Sequence, residues 1–217
     1  MKDIDKYKLQ SLAVAIVDDH EVVNEGIRSF LIESGVRNVE AFTKGYELVR
    51  RIPACHFDIF IVDVELHDIE VEQLIDTIRE CLPDAKIIIN TMHEELWVVN
   101  RLTEKHVDGV VYKSASLEQL VEAIIIVHEG RQYFSPKFKR SQSEIQVKNG
   151  ILSVREIEVL KELARGFSTK EIAKKLFISE NTVENHRKNM FRKLGARNVA
   201  TLLIKAITAG YIDPSRL

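Results

Sequence analysis

Through residues 12 to 130 the chain alternates between short, nearly unbroken apolar runs and longer stretches whose apolar residues recur every three or four positions. The short runs are Ala13 to Val17, Val39 to Phe42, Asp58 to Val62, Lys86 to Asn90 and Gly109 to Tyr112. Their length and apolar character predict five strands, the run from Asp58 to Val62 being of the kind buried on both faces of a parallel sheet. Between them Val23, Ile27, Phe30 and Leu31 share one helical face, as do Leu117, Leu120, Val121, Ile124 and Ile125. Ser116 and Gln119 predict a capping box at the start of the last of these helices. Strands and helices alternating through such short connections imply a doubly wound, five-stranded parallel α/β sheet.

The pattern lapses over residues 131 to 150, where Ser, Lys, Arg, Gln and one Pro leave few aliphatic residues, and this stretch reads as a linker. Helical periodicity returns in residues 151 to 217, with capping boxes predicted at Ser153/Glu156 and Ser168/Glu171. Gly166 separates the first two helices, and Phe177, Ile178 and Ser179 make a tight turn before a third. An all-α, four-helix domain containing a helix-turn-helix is expected. On the third helix, Glu180 to Lys193, Met190, Leu194 and Arg187 fall within about 40° of Val183, while Asn181, Asn185, Lys188 and Arg192 gather on the opposite side. An apolar face opposite a face of amides and cations suits insertion into a DNA major groove, where Asn pairs with adenine and Lys with guanine. Thr182 joins this exposed set, and Arg187, Lys193, Lys170 and Lys174 are placed to meet phosphates. Glu184 is discordant, since a carboxylate repels phosphate unless it accepts from a cytosine amino group.

Charge separates the two parts. From Ile151 onward 13 Lys and Arg stand against 7 Asp and Glu, net +6, whereas residues 1 to 150 hold 18 against 26, net −8. An acidic front joined to a basic rear fits a nucleic-acid module at the carboxyl end. Met1 to Ser11 lacks the apolar segment of a signal peptide, no apolar run reaches membrane-spanning length, and Cys55 and Cys81 lack metal-ligand spacing. These features imply a cytoplasmic protein with reduced thiols and no membrane partner.

The polar residues at the strand ends carry the candidate chemistry. The first strand ends in Asp18 and Asp19, the third in Asp63, the fourth in Asn90-Thr91 and the fifth in Tyr112-Lys113. In an open α/β sheet the carboxyl edge is where ligands bind. Three carboxylates there make a hard oxygen site suited to Mg2+, with Asp63 as the nucleophile. A metal and a lysine on opposite sides of a phosphoryl group supply the charge stabilisation that its transfer needs.

With V-D-D at 17 to 19, V-D at 62 and 63, Thr91 and Y-K at 112 and 113, residues 12 to 130 resemble a flavodoxin-like response-regulator receiver domain. The segments L-S-V-R-E-I-E-V-L, G-F-S-T-K-E-I-A-K-K-L-F-I-S, T-V-E-N-H-R-K-N-M and K-L-G-A-R-N resemble the LuxR-type helix-turn-helix. The combination is that of the NarL/FixJ class of two-component transcription regulators. This resemblance implies a sensor histidine kinase that phosphorylates Asp63, and Mg2+ held by Asp18, Asp19, Asp63 and the backbone carbonyl of Glu65. It further implies a phosphoryl contact from Lys113, a relay through Thr91 and Tyr112, double-stranded DNA as partner, and a homodimer formed on phosphorylation. Ile204, pointing away from the stripe of Val199, Leu202, Leu203, Ala206 and Ile207, is a candidate dimer contact. Departures from the family pattern are Leu66-His67 followed by Asp68-Ile69-Glu70-Val71 after the acceptor acid, Met92 after Thr91, where its bulk is expected to narrow access to Asp63, and Glu184. Two rivals compete with this reading: a receiver that works without phosphorylation, and a phosphatase using Asp63 as nucleophile with Glu65 as its acid. The phosphatase class needs Asp at the second position and places its nucleophile after the first strand, so a non-enzymatic regulator is expected.

Overall fold

The computed structural model describes residues 9–149 and 151–217, the side chains of 145–149 apart; the expectation for Met1 to Ser11 falls mostly outside them. In chain order the elements are β1 (Ala13–Val17), α1 (Glu21–Ser34), β2 (Asn38–Phe42), α2 (Gly45–Arg51), β3 (Ile59–Val62), α3 (Val71–Cys81), β4 (Lys86–Thr91), α4 (Leu96–Glu104), β5 (Gly109–Tyr112), α5 (Leu117–His128), β6 (Tyr133–Phe134), α6 (Pro136–Asn149), α7 (Val154–Ala164), α8 (Thr169–Leu176), α9 (Glu180–Leu194) and α10 (Val199–Thr208). Short 3-10 turns cover Ile52–Ala54 and Pro214–Arg216. The chain divides into two compact units: one runs to Glu94 and resumes over Lys105–Phe138, the other holds Glu95–Glu104 and Lys139–Leu217.

In the first unit every strand pair is parallel, in the order β2-β1-β3-β4-β5-β6. β1, β3 and β5 are buried at every position, as their unbroken apolar runs require. Ile27 and Leu31 of α1 pack with Leu120, Val121 and Ile124 of α5 in the core that covers one sheet face. The expected capping box at α5 is absent. Ser116 occupies the cap with extended backbone, but its side chain makes no cap bond and instead serves Glu118.

The stretch expected to be a linker carries structure. Tyr133 and Phe134 add a sixth strand beside β5, and Pro136 opens a helix to Asn149. Phe138 is fully buried and its ring stacks on Phe134 with centroids 5.3 Å apart, so two aromatics anchor a segment that is otherwise polar. Helical period is weak there because Lys, Arg, Ser and Gln, which solvate well on all sides of a helix, outnumber the apolar residues, and among its described side chains Phe138 is the one fully buried.

The acids at the two edges of the sheet serve different ends. At the amino edge Asp58 accepts from Ala13 N (2.9 Å) and Asp108 from Ile87 N (3.0 Å), satisfying amides at the beginnings of strands. At the carboxyl edge Asp68 caps α2, accepting from Gly45 N (3.0 Å) and Tyr46 N (2.9 Å). Gly45 is buried, and a Cβ there would overlap the Cγ2 methyl of Ile69, itself 6% exposed. Gly45→Ala is therefore expected to push the β3–α3 loop outward and cost about 1 to 3 kcal/mol, the usual range for an overpacked site. Urea unfolding checks it, and a loss below about 0.5 kcal/mol would show that Ile69 yields freely.

In the second unit α7, α8, α9 and α10 enclose a core of Leu160, Ile172, Val183, Met190, Leu202 and Ala206, as their apolar stripes predict. Both predicted capping boxes form, at Ser153/Glu156 and Ser168/Glu171. Phe177 closes α8 in the left-handed conformation (φ 55°) and Ser179 caps α9 by accepting from Thr182 N at 3.0 Å. Sequence order puts α4 among the strands, yet by packing it groups with residues 139–217. Arg101 donates to Asp213 at 3.0 Å, and Gly210 (φ 82°) stands so near the Leu96 backbone that a Cβ would lie 3.1 Å from its carbonyl oxygen.

Candidate functional site

Backbone hydrogen bonds continue past the strand ends and fix the residues that follow them. Asp18 N donates to Phe42 O (3.1 Å), Asp63 N to Val17 O (2.9 Å) and Lys113 N to Thr91 O (2.8 Å). The side chains of Asp18, Asp19, His20 and Asp63 each bring one ligand-type atom within 4.8 Å of the others. Lys113 joins them, its Nζ 2.6 Å from both Asp18 Oδ2 and Asp63 Oδ2. The carboxylates of Asp18 and Asp63 are 3% and 5% exposed, so Lys113 is the cation that makes their shared burial tolerable. Burial pushes the Asp63 carboxyl above its ordinary value, with Asp18 adding to the rise and Lys113 opposing it. Burial disfavours the charged Lys113 too, but hydrogen bonds and attraction from Asp18 and Asp63 outweigh it and raise the ammonium's pKa.

The three carboxylates of this set fit a hard dication. They offer oxygen ligands beside the His20 imidazole, and Asp19 Oδ1 is buried without a well-formed hydrogen bond, although His20 Nδ1 lies 2.6 Å away as an ion-pair partner. A buried acceptor of that kind is what a metal or its water satisfies. Glu65 follows two residues after Asp63, and its exposed carboxylate pairs with His93 Nε2 at 2.8 Å, leaving only its backbone carbonyl in the expected metal role. His67 Nδ1 is engaged by Asp19, and His20 N donates to Asp18 Oδ1 at 3.0 Å.

Thr91 is fully buried and its Oγ1 accepts from His93 N at 3.1 Å; Tyr112 is 4% exposed. Met92, expected to narrow access to Asp63, is 76% exposed and lines an open cleft of about 560 Å³ with Asn90 and Lys113. Its bulk stands largely in solvent.

Two residues of this edge escaped the sequence reading. Asn24 is 2% exposed and its Nδ2 donates to Asp18 O (2.6 Å) and Phe42 O (2.9 Å), tying the ends of β1 and β2 to α1. The signal was available: Asn24 lies within about 20° of Leu31 on a helical wheel, a polar residue on an apolar stripe. Asp68 was read only as a departure from the family pattern, whereas it pins that loop to α2. No local pattern in the sequence pairs Asp68 with Gly45.

On α9 the expected face is exposed: Asn181, Asn185, Lys188 and Arg192 all point to solvent, as do Lys170 and Lys174 on α8, while Val183 and Met190 are fully buried. Thr182 is half-buried and shares a short contact with the capping Ser179 (2.7 Å between hydroxyls). Three of the expected DNA contacts are engaged within the domain instead. Lys193 Nζ pairs with Glu156 Oε2 at 2.7 Å, the Glu156 side chain being 3% exposed. Arg187 and Glu184 bond each other at 2.8 Å. Angular position alone could not assign these partners, because they come from other helices or from a neighbouring turn. Lys205 Nζ donates to Leu194 O and Gly195 O at 2.8 Å each, closing the end of α9 from α10.

A sheet edge with paired acids, an opposing lysine and a buried threonine, in one chain with a capped helix-turn-helix, defines a response regulator with a DNA-binding output. Residues 14–125 match the family model for the response regulator receiver domain, and residues 150–206 match that for bacterial regulatory proteins of the luxR family. The chain belongs to this family: it is a NarL/FixJ-class response regulator, a DNA-binding transcription regulator switched by phosphorylation. Among its relatives is the oxygen regulatory protein NreC of Staphylococcus carnosus, 31% identical over 93% of this chain and 100% of that protein. The transcriptional regulatory protein LnrK of Bacillus subtilis is 28% identical over 92% and 98%. Among solved structures, an RcsB–DNA complex superposes with a TM-score of 0.67 at 29% identity, covering 89% of this chain and 96% of that one. RcsB of Salmonella enterica serovar Typhimurium bound to a promoter in the presence of the phosphomimetic BeF3− gives 0.67 at 28% identity over 91% and 98%. The phosphatase rival finds no support in these relatives. No helix among the described residues is long and apolar enough to cross a membrane.

Proposed function

We propose that Asp63 accepts a phosphoryl group from a sensor histidine kinase and that this charge change governs binding of α9 to double-stranded DNA. The observation that carries the reading is Lys113 Nζ at 2.6 Å from both Asp18 and Asp63. One cation opposes the rise in the acceptor's pKa that burial and Asp18 cause. In the transfer a carboxylate oxygen of Asp63 forms the new P–O bond as the donor's P–N bond breaks. Asp18, Asp19 and the Glu65 carbonyl would hold Mg2+, which when bound supplies positive charge against the phosphoryl oxygens. Lys113 meets the transferred group from the other side, and buried Thr91 lies one strand over, where its hydroxyl can meet a phosphoryl oxygen and draw Tyr112 with it.

The output follows from the exposed set on the second unit. Asn181, Asn185, Lys188 and Arg192 read bases, Lys170 and Lys174 meet phosphates, and two copies sit on paired half-sites. Ile204, 64% exposed on α10, is the apolar contact offered to the second copy. The domains of this reading are a receiver over 12–130 and a DNA-binding domain over 151–217, the segment between them being β6 and α6.

The test is 19F NMR of the full chain with Mg2+ and beryllofluoride, read alongside sedimentation velocity. A protein-bound fluoride signal and a shift from monomer to dimer are expected, both absent in Asp63→Ala. A dimer shift that persists in Asp63→Ala, or no bound signal in the wild-type chain, rules out Asp63 as the acceptor and favours a receiver that works without phosphorylation. A bound signal with no dimer shift removes dimerisation from the reading.

A further inference from the structure

Glu184 lies on the helix that reads DNA, and a free carboxylate there would repel the phosphate backbone. It is not free. Thr169 Oγ1 donates to Glu184 Oε1 at 2.7 Å, and Arg187 Nη1 donates to Glu184 Oε1 and to Thr169 Oγ1 at 2.8 Å each. Thr169 is the first residue of α8. Arg187 is one turn beyond Glu184 on α9, its side chain 25% exposed and its Nε buried. The three groups therefore close a triangle between the start of α8 and the first turns of α9. The hydrogen bond from Thr169 leads the lowering of the Glu184 carboxyl's pKa, and Arg187 and Lys188 add to it, so the brace stays ionised at neutral pH.

We infer that Glu184 is a positioning residue for DNA recognition: by holding Arg187 on Thr169 it sets α9 against α8 and withholds one guanidinium from the phosphate backbone. Arginine presents five donors in a fork that fits phosphate, so a released Arg187 gains DNA contacts that carry no sequence information. The sequence-dependent contacts of Asn181, Asn185 and Lys188 meanwhile lose the cross-link that aims them. Glu184 thus trades total affinity for discrimination, which accounts for an acid on a DNA-reading helix without assigning it a base. The inference rests on the DNA-binding reading of α9.

The experiment uses the full chain and two duplexes, one enriched by the wild-type protein from a random-sequence library and one of mixed sequence. Anisotropy titrations over a salt series give the affinity for each. For Glu184→Ala the mixed duplex is expected to bind more tightly, with the slope of log K against log salt steeper by about one phosphate contact. The ratio of specific to non-specific affinity is expected to fall about tenfold. Glu184→Gln keeps an acceptor for Thr169 and Arg187 but loses the charge, and is expected to hold the ratio within about twofold of wild type. A ratio unmoved in Glu184→Ala overturns the inference. So does Glu184→Gln behaving as Ala, because charge repulsion alone would then be at work. Should Glu184→Ala fail to fold, Thr169→Val cuts the same triangle from α8 and must lower the ratio. If no duplex is enriched by the wild-type chain, the DNA-binding reading fails rather than the role of Glu184.

Discussion

Replacing Lys113 by Ala is expected to lower the unfolding free energy of the metal-free protein by about 3 to 5 kcal/mol, much of which returns when Mg2+ is added. The carboxylates of Asp18 and Asp63 are almost fully buried, and each has its Oδ2 2.6 Å from the same ammonium. Without that ammonium two neighbouring charges remain in a poorly solvated site, and the dication is the other group able to neutralise them. Burial and Asp18 already hold the Asp63 pKa above its unfolded value, and losing Lys113 lifts it further. A carboxyl with a raised folded pKa favours folding in its protonated form, below the unfolded value, and loses that contribution as pH rises through the folded one. The deficit of Lys113→Ala is therefore largest at neutral pH and shrinks in acid as Asp63 protonates. The wild-type ammonium titrates on the other side: its pKa is raised from 10.5, so its contribution is complete below that value and lost as pH climbs through the folded one. Urea titrations at two pH values, with chelator and with Mg2+, measure both effects. Unfolding midpoints equal to wild type in chelator would show that water, rather than Lys113, solvates these acids.

Lys193→Ala is expected to cost about 2 to 4 kcal/mol, somewhat less than a fully buried pair because the Lys193 side chain is 32% exposed. Its partner Glu156 is 3% exposed and also accepts from Ser153 N (2.7 Å) and Ser153 Oγ (3.0 Å), so one carboxylate caps α7 and anchors α9. Burial alone would raise the Glu156 pKa, but Lys193 and Ser153 together hold it below the ordinary 4.5. A lowered folded pKa contributes stability above the unfolded value, and that contribution disappears as pH falls through the folded one. Thermal melts of wild type and Lys193→Ala should thus differ most near neutrality and converge in acid as pH falls through the lowered folded pKa of Glu156. Glu156→Gln in the Lys193→Ala background removes the stranded charge and is expected to restore much of the loss. If Lys193→Ala instead melts like wild type and only weakens DNA binding, Lys193 belongs with the phosphate contacts that its position on α9 first suggested.

Much of the candidate site was legible because it sits on elements of strong period. β1, β3 and β5 are unbroken apolar runs ending at Asp18, Asp63 and Tyr112-Lys113, and a parallel sheet necessarily gathers such ends on one edge. The exposed row Asn181, Asn185, Lys188 and Arg192 followed from the angular position of Val183 and Met190 in the same way. Most residues missed or found engaged depend on partners distant in sequence: Asp68 meets Gly45, Asn24 meets Phe42, Lys193 meets Glu156 and Thr169 meets Glu184, across separations that no periodicity encodes, whereas Arg187 pairs with Glu184 one turn away. The structure inside the stretch expected as a linker, 131 to 150, was hidden for the opposite reason: β6 is two residues long and α6 is mostly polar apart from scattered residues such as the buried Phe138, so neither leaves a readable period.

By itself the sequence determined the α/β front and helical rear of the chain, most strands and helices that bury apolar surface, the acids, threonine and lysine at one sheet edge, and the polar face of α9. All of these follow from spacing along a single element, since burial selects residue type position by position. Only the tertiary structure decided which of the charged groups are available. Lys113 bridges two buried acids, Lys193 is drawn onto Glu156, and Arg187 is held by Glu184 and Thr169. An ion pair is chosen by a few ångströms of side-chain approach between elements, a distance set when the helices and strands pack and not before.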